Sequence, residues 1–394
     1  MSLRENVVLG YRIIFSGFLA VLASIGFARF GYSMILPGMK DELLLTYSQV
    51  GLMESANFLG YMIFAILGGV LSWKYGPRIV ITLSLLLVGV SMVFTGFVTG
   101  FTQSVILRSL AGVGSGGANV PAMMLPVAWF SSKKRGLASG LIAAGSGAGI
   151  ILSGFLVPRM NMLFSSSGWR YSWFILGALA LIFALFCAIL IQDPADKSQS
   201  GGSPLRLKGV IVDPLLWKIG VTYLMFGFSY IIYVTFFGAY LVYEIQLTSQ
   251  LAGGLWALVG SLSLVSGPLW GHVSDRIGRG LGLAFVYLIH SLSFFLFTFK
   301  DIMIFLFASS ILFGITAWSI PSIMAAYSGD HFGSQLAFSA FGILTIFFGV
   351  GQVFGPATAG LITDQTGTLI SSFFLSSAIA LLGVFFSLAI LRKD

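Results

Sequence analysis

Charge is what this chain has least of. Of its 394 residues only 9% are Asp, Glu, Lys or Arg, against roughly 25% in an ordinary soluble domain. Too few polar side chains remain to coat a water-facing surface. That excludes the two or three soluble domains such a length would otherwise suggest. Cysteine is reduced to one residue, Cys187, inside an apolar run, so there is no intrachain disulfide framework and no thiolate metal site. The three histidines, His272, His290 and His331, stand far apart without acidic or thiol companions, so no metal-ligand spacing exists. A Walker loop and a nucleophile elbow are both missing. Without ATP chemistry, gradient-driven transport or facilitated diffusion remains, and no cofactor is expected. The net charge of +8 is scattered through short connections rather than gathered in a tract, which points to membrane orientation and away from nucleic acid.

Hydrophobicity is what the chain has in excess, at 57% apolar residues. Apolar runs occupy about 11–38, 49–72, 78–99, 102–129, 137–158, 170–191, 215–243, 250–271, 281–299, 302–326, 336–362 and 369–391. Each is long enough for a helix through a bilayer core roughly 30 Å thick. Transmembrane barrel strands are about ten residues long with alternating polarity, so a barrel is excluded. The first run is too long for a cleavable signal and carries Arg29. The expected fold is all-α integral membrane with twelve transmembrane helices.

With the N-terminus placed inside, the cytoplasmic segments hold Arg4, Arg12, Lys74, Arg78, Lys133, Lys134, Arg135, Lys197, Arg206, Lys208, Arg276, Arg279, Arg392 and Lys393. The outer segments hold only Lys40, Arg159, Arg170 and Lys300. This asymmetry places both termini in the cytoplasm, with the inner membrane as the expected location. The longest connection, about 192–214, contains Asp193-Pro194, Gly201-Gly202 and Pro204, and reads as a flexible linker between two six-helix halves, 1–191 and 215–394. The halves superimpose at an offset of 202, which lays Glu42, Leu45, Thr46 and Gly51 on Glu244, Leu247, Thr248 and Gly253, and Gly69, Ser72 and Gly76 on Gly271, Ser274 and Gly278. A slightly larger offset lays Gly145, Gly149 and Gly154 on Gly351, Gly355 and Gly360. A duplicated six-helix unit suggests a transporter with a mid-membrane site between the halves.

These residues resemble the major facilitator superfamily. The loop Gly271-His272-Val273-Ser274-Asp275-Arg276-Ile277-Gly278-Arg279 is similar to its signature loop. Its counterpart, Gly69 to Arg78, has Trp73 where the acid stands in that pattern. Arg108, Gly112 and Gly116 resemble the Arg-xxx-Gly motif of the fourth helix, and Gly351 to Pro356 resembles the Gly-Pro motif of antiporters, here on the eleventh. The stretch Ala28 to Tyr32, Pro37 and the run Ser55 to Tyr61 resemble the bacterial YbfB-type branch. The resemblance implies two bundles related by a pseudo-two-fold axis, alternating access around a cavity lined by the first and fourth helices of each half, and gating by Gly271, Asp275, Arg276, Gly278 and Arg279. A monomer in the lipid bilayer is expected. Gly112 to Gly117 also fits a dinucleotide pattern, but inside a span those glycines serve close helix packing.

Three charges fall clearly inside spans, away from their ends: Arg29, Glu54 and Arg108. Such a group costs roughly 2.5–3.5 kcal/mol on insertion scales unless paired or wet. Taking Pro37 as the outer end of the first helix puts Arg29 about 12 Å deep, with the other two about 8–9 Å deep, so the three can meet. Glu54 can pair with one arginine, or an arginine can snorkel to the interface. Two arginines and one carboxylate still leave a net positive charge, and guanidinium suits a carboxylate, sulfonate or phosphate. Asn119 shares a helix face with Arg108, and Asn57 and Tyr61 share one with Glu54. Asn119 serves either a helix–helix hydrogen bond or a substrate. Tyr230, Tyr233, Phe237 and Tyr240 form a stripe that is either packing or, with Trp318, an apolar cavity wall. Candidate substrate contacts are therefore Arg29, Tyr32, Asn57, Arg108, Asn119, Tyr230, Tyr233 and Trp318, with Glu54 as proton carrier. The expected function is proton-coupled symport of a small organic anion. An efflux antiporter for lipophilic compounds is the alternative, and a non-transporting sensor ranks below it. No enzyme activity is expected.

Overall fold

The computed structural model describes residues 3–193 and 210–391. Most of the 192–214 connection, including Lys197, Ser200, Arg206 and Lys208, lies outside the described residues, as do Arg392 and Lys393. The described chain is helical throughout. Ten of its helices are long and apolar enough to cross a membrane. Two units emerge: Met1–Leu45 with Ala56–Gly202, and Thr46–Ser55 with Ser203–Asp394.

In the first unit, α1 (Leu3–Val21), a π-helix (Leu22–Phe30) and α2 (Gly31–Glu42) form one continuous rod. Pro37 lies inside α2 and does not end it. One missing N–H in a long apolar helix is tolerated when neighbours re-satisfy the freed groups. The rod ends at Glu42, thirteen residues past Arg29, about 20 Å at 1.5 Å per residue. Arg29 is thus deeper than Pro37 suggested. Glu42 fixes the rod end by accepting from Trp169 Nε1 at 2.6 Å and pairing with Arg170 at 2.8 Å. The rest of the unit is α3 (Tyr47–Tyr75, of which the first turns group with the second unit), α4 (Pro77–Thr95), α5 (Phe101–Trp129), α6 (Ser132–Phe164) and α7 (Gly168–Leu190). Helices α6 and α7 share one apolar run of 57 residues, Lys134–Leu190. Helix α5 falls outside the ten spans and carries Arg108 and Asn119.

Glycine lets α3 and α5 touch backbone to backbone. A Cβ on Gly112 would drive into the Asn57 carbonyl, and one on Gly116 into that of Tyr61. The dinucleotide-like glycines are a packing surface. Overpacking costs about 1–3 kcal/mol, so Gly112→Leu should melt well below wild type. Gly69→Leu is the control, since nothing lies within 4 Å of its Cβ position. Equal melting of the two variants would contradict this packing.

The second unit holds α8 (Pro214–Tyr243), α9 (Ser249–Ile277), α10 (Arg279–Leu296), α11 (Met303–Gly314), α12 (Ser319–Thr366) and α13 (Ile370–Leu391). Helix α12 is kinked at Gly333, where φ is 68°. Asp364 near its end accepts from the N–H groups of Tyr47 at 2.9 Å and Ser48 at 2.8 Å, which satisfies free donors at the start of α3. Glu244 accepts from Thr368 Oγ1 at 2.7 Å, at the start of α13.

Local geometry matches at two points of the sequence repeat. Gly145 abuts Phe18 O and Leu22 N, and Gly351 abuts Leu224 O and Phe228 N, each residue 206 positions from its counterpart. Gly76 and Gly278 take nearly identical positive-φ conformations, φ 92° and ψ 146° against φ 91° and ψ 149°, where a side chain would be strained.

Candidate functional site

Arg29 is the exceptional residue. It sits in the π-helix Leu22–Phe30, every residue of which is buried. Gly31 N–H reaches back to Gly26 O, the wide i→i+5 turn, and such turns are rare and frequent at functional sites. Arg29 is 6% exposed, and its Nε and Nη2 have no hydrogen-bond partner among the described residues. Its guanidinium carbon lies 4.4 Å from the ring centroid of Phe58 and 4.2 Å from that of Tyr61. Ring faces stabilise a cation by about 0.5–2 kcal/mol each but accept no hydrogen bond in a bidentate sense. What is left open, Nε–H with Nη2–H, is the parallel pair that grips a carboxylate.

Arg108 plays a different part. It is 1% exposed, lies 4.3 Å from the Tyr32 ring and donates through Nη1 to the carbonyl of Ala28. That carbonyl belongs to the residue preceding Arg29. Arg108 is therefore tied to the backbone that presents Arg29, and Tyr32, buried beside it, supplies the ring. Asn57 donates to Arg108 O at 2.9 Å, a helix–helix bond between α3 and α5. Asn119 donates to Tyr61 Oη at 2.9 Å, which fixes the ring that faces Arg29. Glu54 is buried at 2% exposure, one turn before Asn57 on α3.

The charge of Arg29 marked it in the sequence; Tyr61 was placed there only on the polar face of Glu54 and Asn57, and Phe58 was given no role. Their spacing of three on α3 was the available signal, since residues three apart share a helix face.

In the second unit Tyr230 accepts from Gln352 Nε2, and Trp318 meets its ring edge-on at 6.4 Å. Gln352 was not among the sequence candidates; it lies within the Gly351–Pro356 motif. Trp318 stands at the break between α11 and α12, its backbone N–H donating to Ser266 Oγ at 3.1 Å. Tyr233 enters an aromatic core of Phe237, Phe294, Phe297, Phe313 and Phe373, with its hydroxyl 2.8 Å from Ser309 Oγ. His290 is fully buried between rings, 3.2 Å from Thr316 O. The signature loop closes α9 with Asp275 and Arg276, turns at Gly278 and opens α10 with Arg279; Gly271 precedes it on α9. Arg279 binds Asp275, Asp330 Oδ2 at 2.8 Å and Ser274 Oγ at 2.8 Å. Beside this cluster Asp213 meets His331 at 2.9 Å. Burial pushes the Asp213 carboxyl up, but the His331 bond, the Leu215 N–H and the His331 charge outweigh it and hold it below its ordinary value. In the first unit, where Trp73 stands in place of that acid, Asp193 accepts from the Arg78 backbone N–H at 3.0 Å.

Two clefts lie away from Arg29. One of about 290 Å³ is lined by Phe94, Phe97, Val98, Gln103, Ile106 and Leu107, and one of about 310 Å³ adjoins Arg279, Asp330 and His331. The first is apolar, with no charged group among its lining residues.

A family model described as the uncharacterised MFS-type transporter YbfB matches residues 21–388. The chain belongs to this family. The MFS-type chain is 28% identical to the probable sulfoacetate transporter SauU of Cupriavidus necator, over 92% of this chain and 89% of that protein. It is 26% identical to the hexuronate transporter of Bacillus subtilis, over 92% and 90%. Its fold is that of the nucleoside transporter NupG, with a TM-score of 0.78 at 14% identity, covering 98% of this chain and all of that one. This YbfB-type chain is accordingly a multi-pass membrane transporter of a small molecule, not an enzyme.

Proposed function

We propose that this MFS-type chain carries a small organic anion by alternating access, coupled to protons. The observation that carries the reading is the open Nε/Nη2 edge of a buried arginine. A lone guanidinium inside a membrane bundle is costly, and an anionic cargo that completes its hydrogen bonds offsets that cost at binding. Arg29 holds the anion, Arg108 positions it through Ala28, and Tyr32 braces Arg108. Glu54, the buried carboxylate of α3, is the proton carrier. Within the second unit, the candidates Tyr230 and Trp318 keep their rings together, with Gln352 on the Tyr230 hydroxyl. SauU and the hexuronate transporter are named for a sulfonate-bearing acid and a sugar acid, both of which present the oxygens such a fork takes.

The finer architecture belongs to the same reading: twelve spans in two related bundles, an inner-membrane monomer, both termini cytoplasmic, and a signature loop that gates. A cysteine introduced at Ser200 should react only with a reagent applied from the cytoplasmic side, since Cys187 is buried. Labelling from outside intact cells would overturn this topology.

The direct test of cargo class is ligand-dependent melting of the purified protein. Sulfoacetate and galacturonate are expected to raise the melting temperature, with uridine and the lipophilic cation tetraphenylphosphonium inert. Stabilisation by the cation alone would favour efflux of lipophilic compounds instead.

A further inference from the structure

Arg29 accounts for the charge of a cargo but not for its remaining atoms, and the side chains beside it carry that information. The Tyr61 ring lies 4.2 Å from the guanidinium carbon, and its hydroxyl is held by Asn119 at 2.9 Å. Arg29 and Phe58 are buried, whereas Tyr61 and Asn119 are half-buried, so the two residues of the hydroxyl–amide pair are the more accessible members of this group. Its hydrogen-bonding capacity can be counted. With Asn119 Nδ2 donating, the phenol keeps its O–H donor and the amide keeps Oδ1 as acceptor. With the amide turned over, the phenol donates to Oδ1, and Nδ2 and the phenol lone pair are left. Either orientation leaves at least one donor and one acceptor side by side. An alcohol both donates and accepts through a single oxygen, so it satisfies the two together. A methylene in its place leaves both unsatisfied.

We propose that Tyr61 and Asn119 select hydroxylated acids. The carboxylate takes the Arg29 fork, while a hydroxyl one or two carbons away donates to one member of the pair and accepts from the other. The favoured cargoes are hydroxy-carboxylates and sugar acids, over the same acids lacking the hydroxyl. This rests on the reading of Arg29 as the anion seat.

Equilibrium binding to the purified full-length protein, with acids matched but for hydroxyls, tests it. The probes are glycolate against acetate and tartrate against succinate. Wild type is expected to bind the hydroxylated member of each pair at least about tenfold more tightly, the value of one or two neutral hydrogen bonds. Tyr61→Phe keeps the ring against Arg29 and removes the hydroxyl, so it should bring each hydroxylated acid down to the affinity of its partner. Asn119→Leu should do the same by an independent route. Equal affinities within each pair in wild type, or discrimination that survives in both variants, overturns the selection while leaving Arg29 as the anion seat. If neither these four acids nor sulfoacetate and galacturonate bind wild type, the Arg29 reading itself is lost.

Discussion

Arg29→Ala should bind organic anions about ten- to 150-fold more weakly than wild type, because it removes a charged bidentate contact that contributes roughly 1.5–3 kcal/mol. Arg29→Lys should recover little of this. Lysine restores the charge but not the planar fork, and its ammonium is the more strongly hydrated. The reason to expect a clean loss is that Arg29 Nε and Nη2 have no protein partner among the described residues, so the substitution strands nothing else. Stability should separate the two buried arginines. Arg29→Met removes an unpartnered guanidinium whose burial costs several kcal/mol against two ring contacts, and should melt no lower than wild type in the absence of ligand. Arg108→Met breaks the bond to the Ala28 carbonyl and should melt lower. A large drop for Arg29→Met with anion binding retained would make Arg29 a structural residue.

Glu54→Gln should split exchange from accumulation. Glutamine keeps the size and one acceptor of glutamate but cannot change charge with a proton. Counterflow of an anion such as galacturonate across a proteoliposome membrane should therefore persist, while accumulation driven by an imposed pH gradient should fall to background. Gradient-driven uptake at the wild-type level in Glu54→Gln would remove Glu54 as the proton carrier.

Much of this fold was legible from hydrophobic runs alone, because in lipid each helix must satisfy its own backbone and leaves a long apolar trace. Of the glycines matched by order in the sequence, Gly145 and Gly351 sit on matched backbone atoms, whereas Gly149 and Gly355 meet different neighbours. Pro37 misled because a proline in a membrane helix need not end it, so the depth of Arg29 was underestimated. The charge of Arg29 announced a site, but the π-helix that presents it has no periodic signature. The ring contacts of Phe58 and Tyr61 depend on how closely α3 approaches the π-helix that carries Arg29, which no local pattern dictates. By residue type Arg108 was indistinguishable from Arg29; its bond to the Ala28 carbonyl, which has no sequence signal, sets it apart from the open edge of Arg29. The tyrosine stripe divides in the same way. Tyr233 bonds Ser309 within an aromatic core, while Tyr230 meets Gln352 and Trp318.

The central claim is that a buried, open guanidinium makes this transporter one for organic anions. Counterflow uptake into proteoliposomes, run for labelled galacturonate, sulfoacetate, uridine and tetraphenylphosphonium with wild type and Arg29→Ala in parallel, tests it most directly. The expected result is saturable uptake of one or both anions by wild type, neither uridine nor the cation transported, and anion uptake lost in Arg29→Ala. Uptake of the cation or of uridine in place of the anions, or anion uptake that is unchanged in Arg29→Ala, would contradict it.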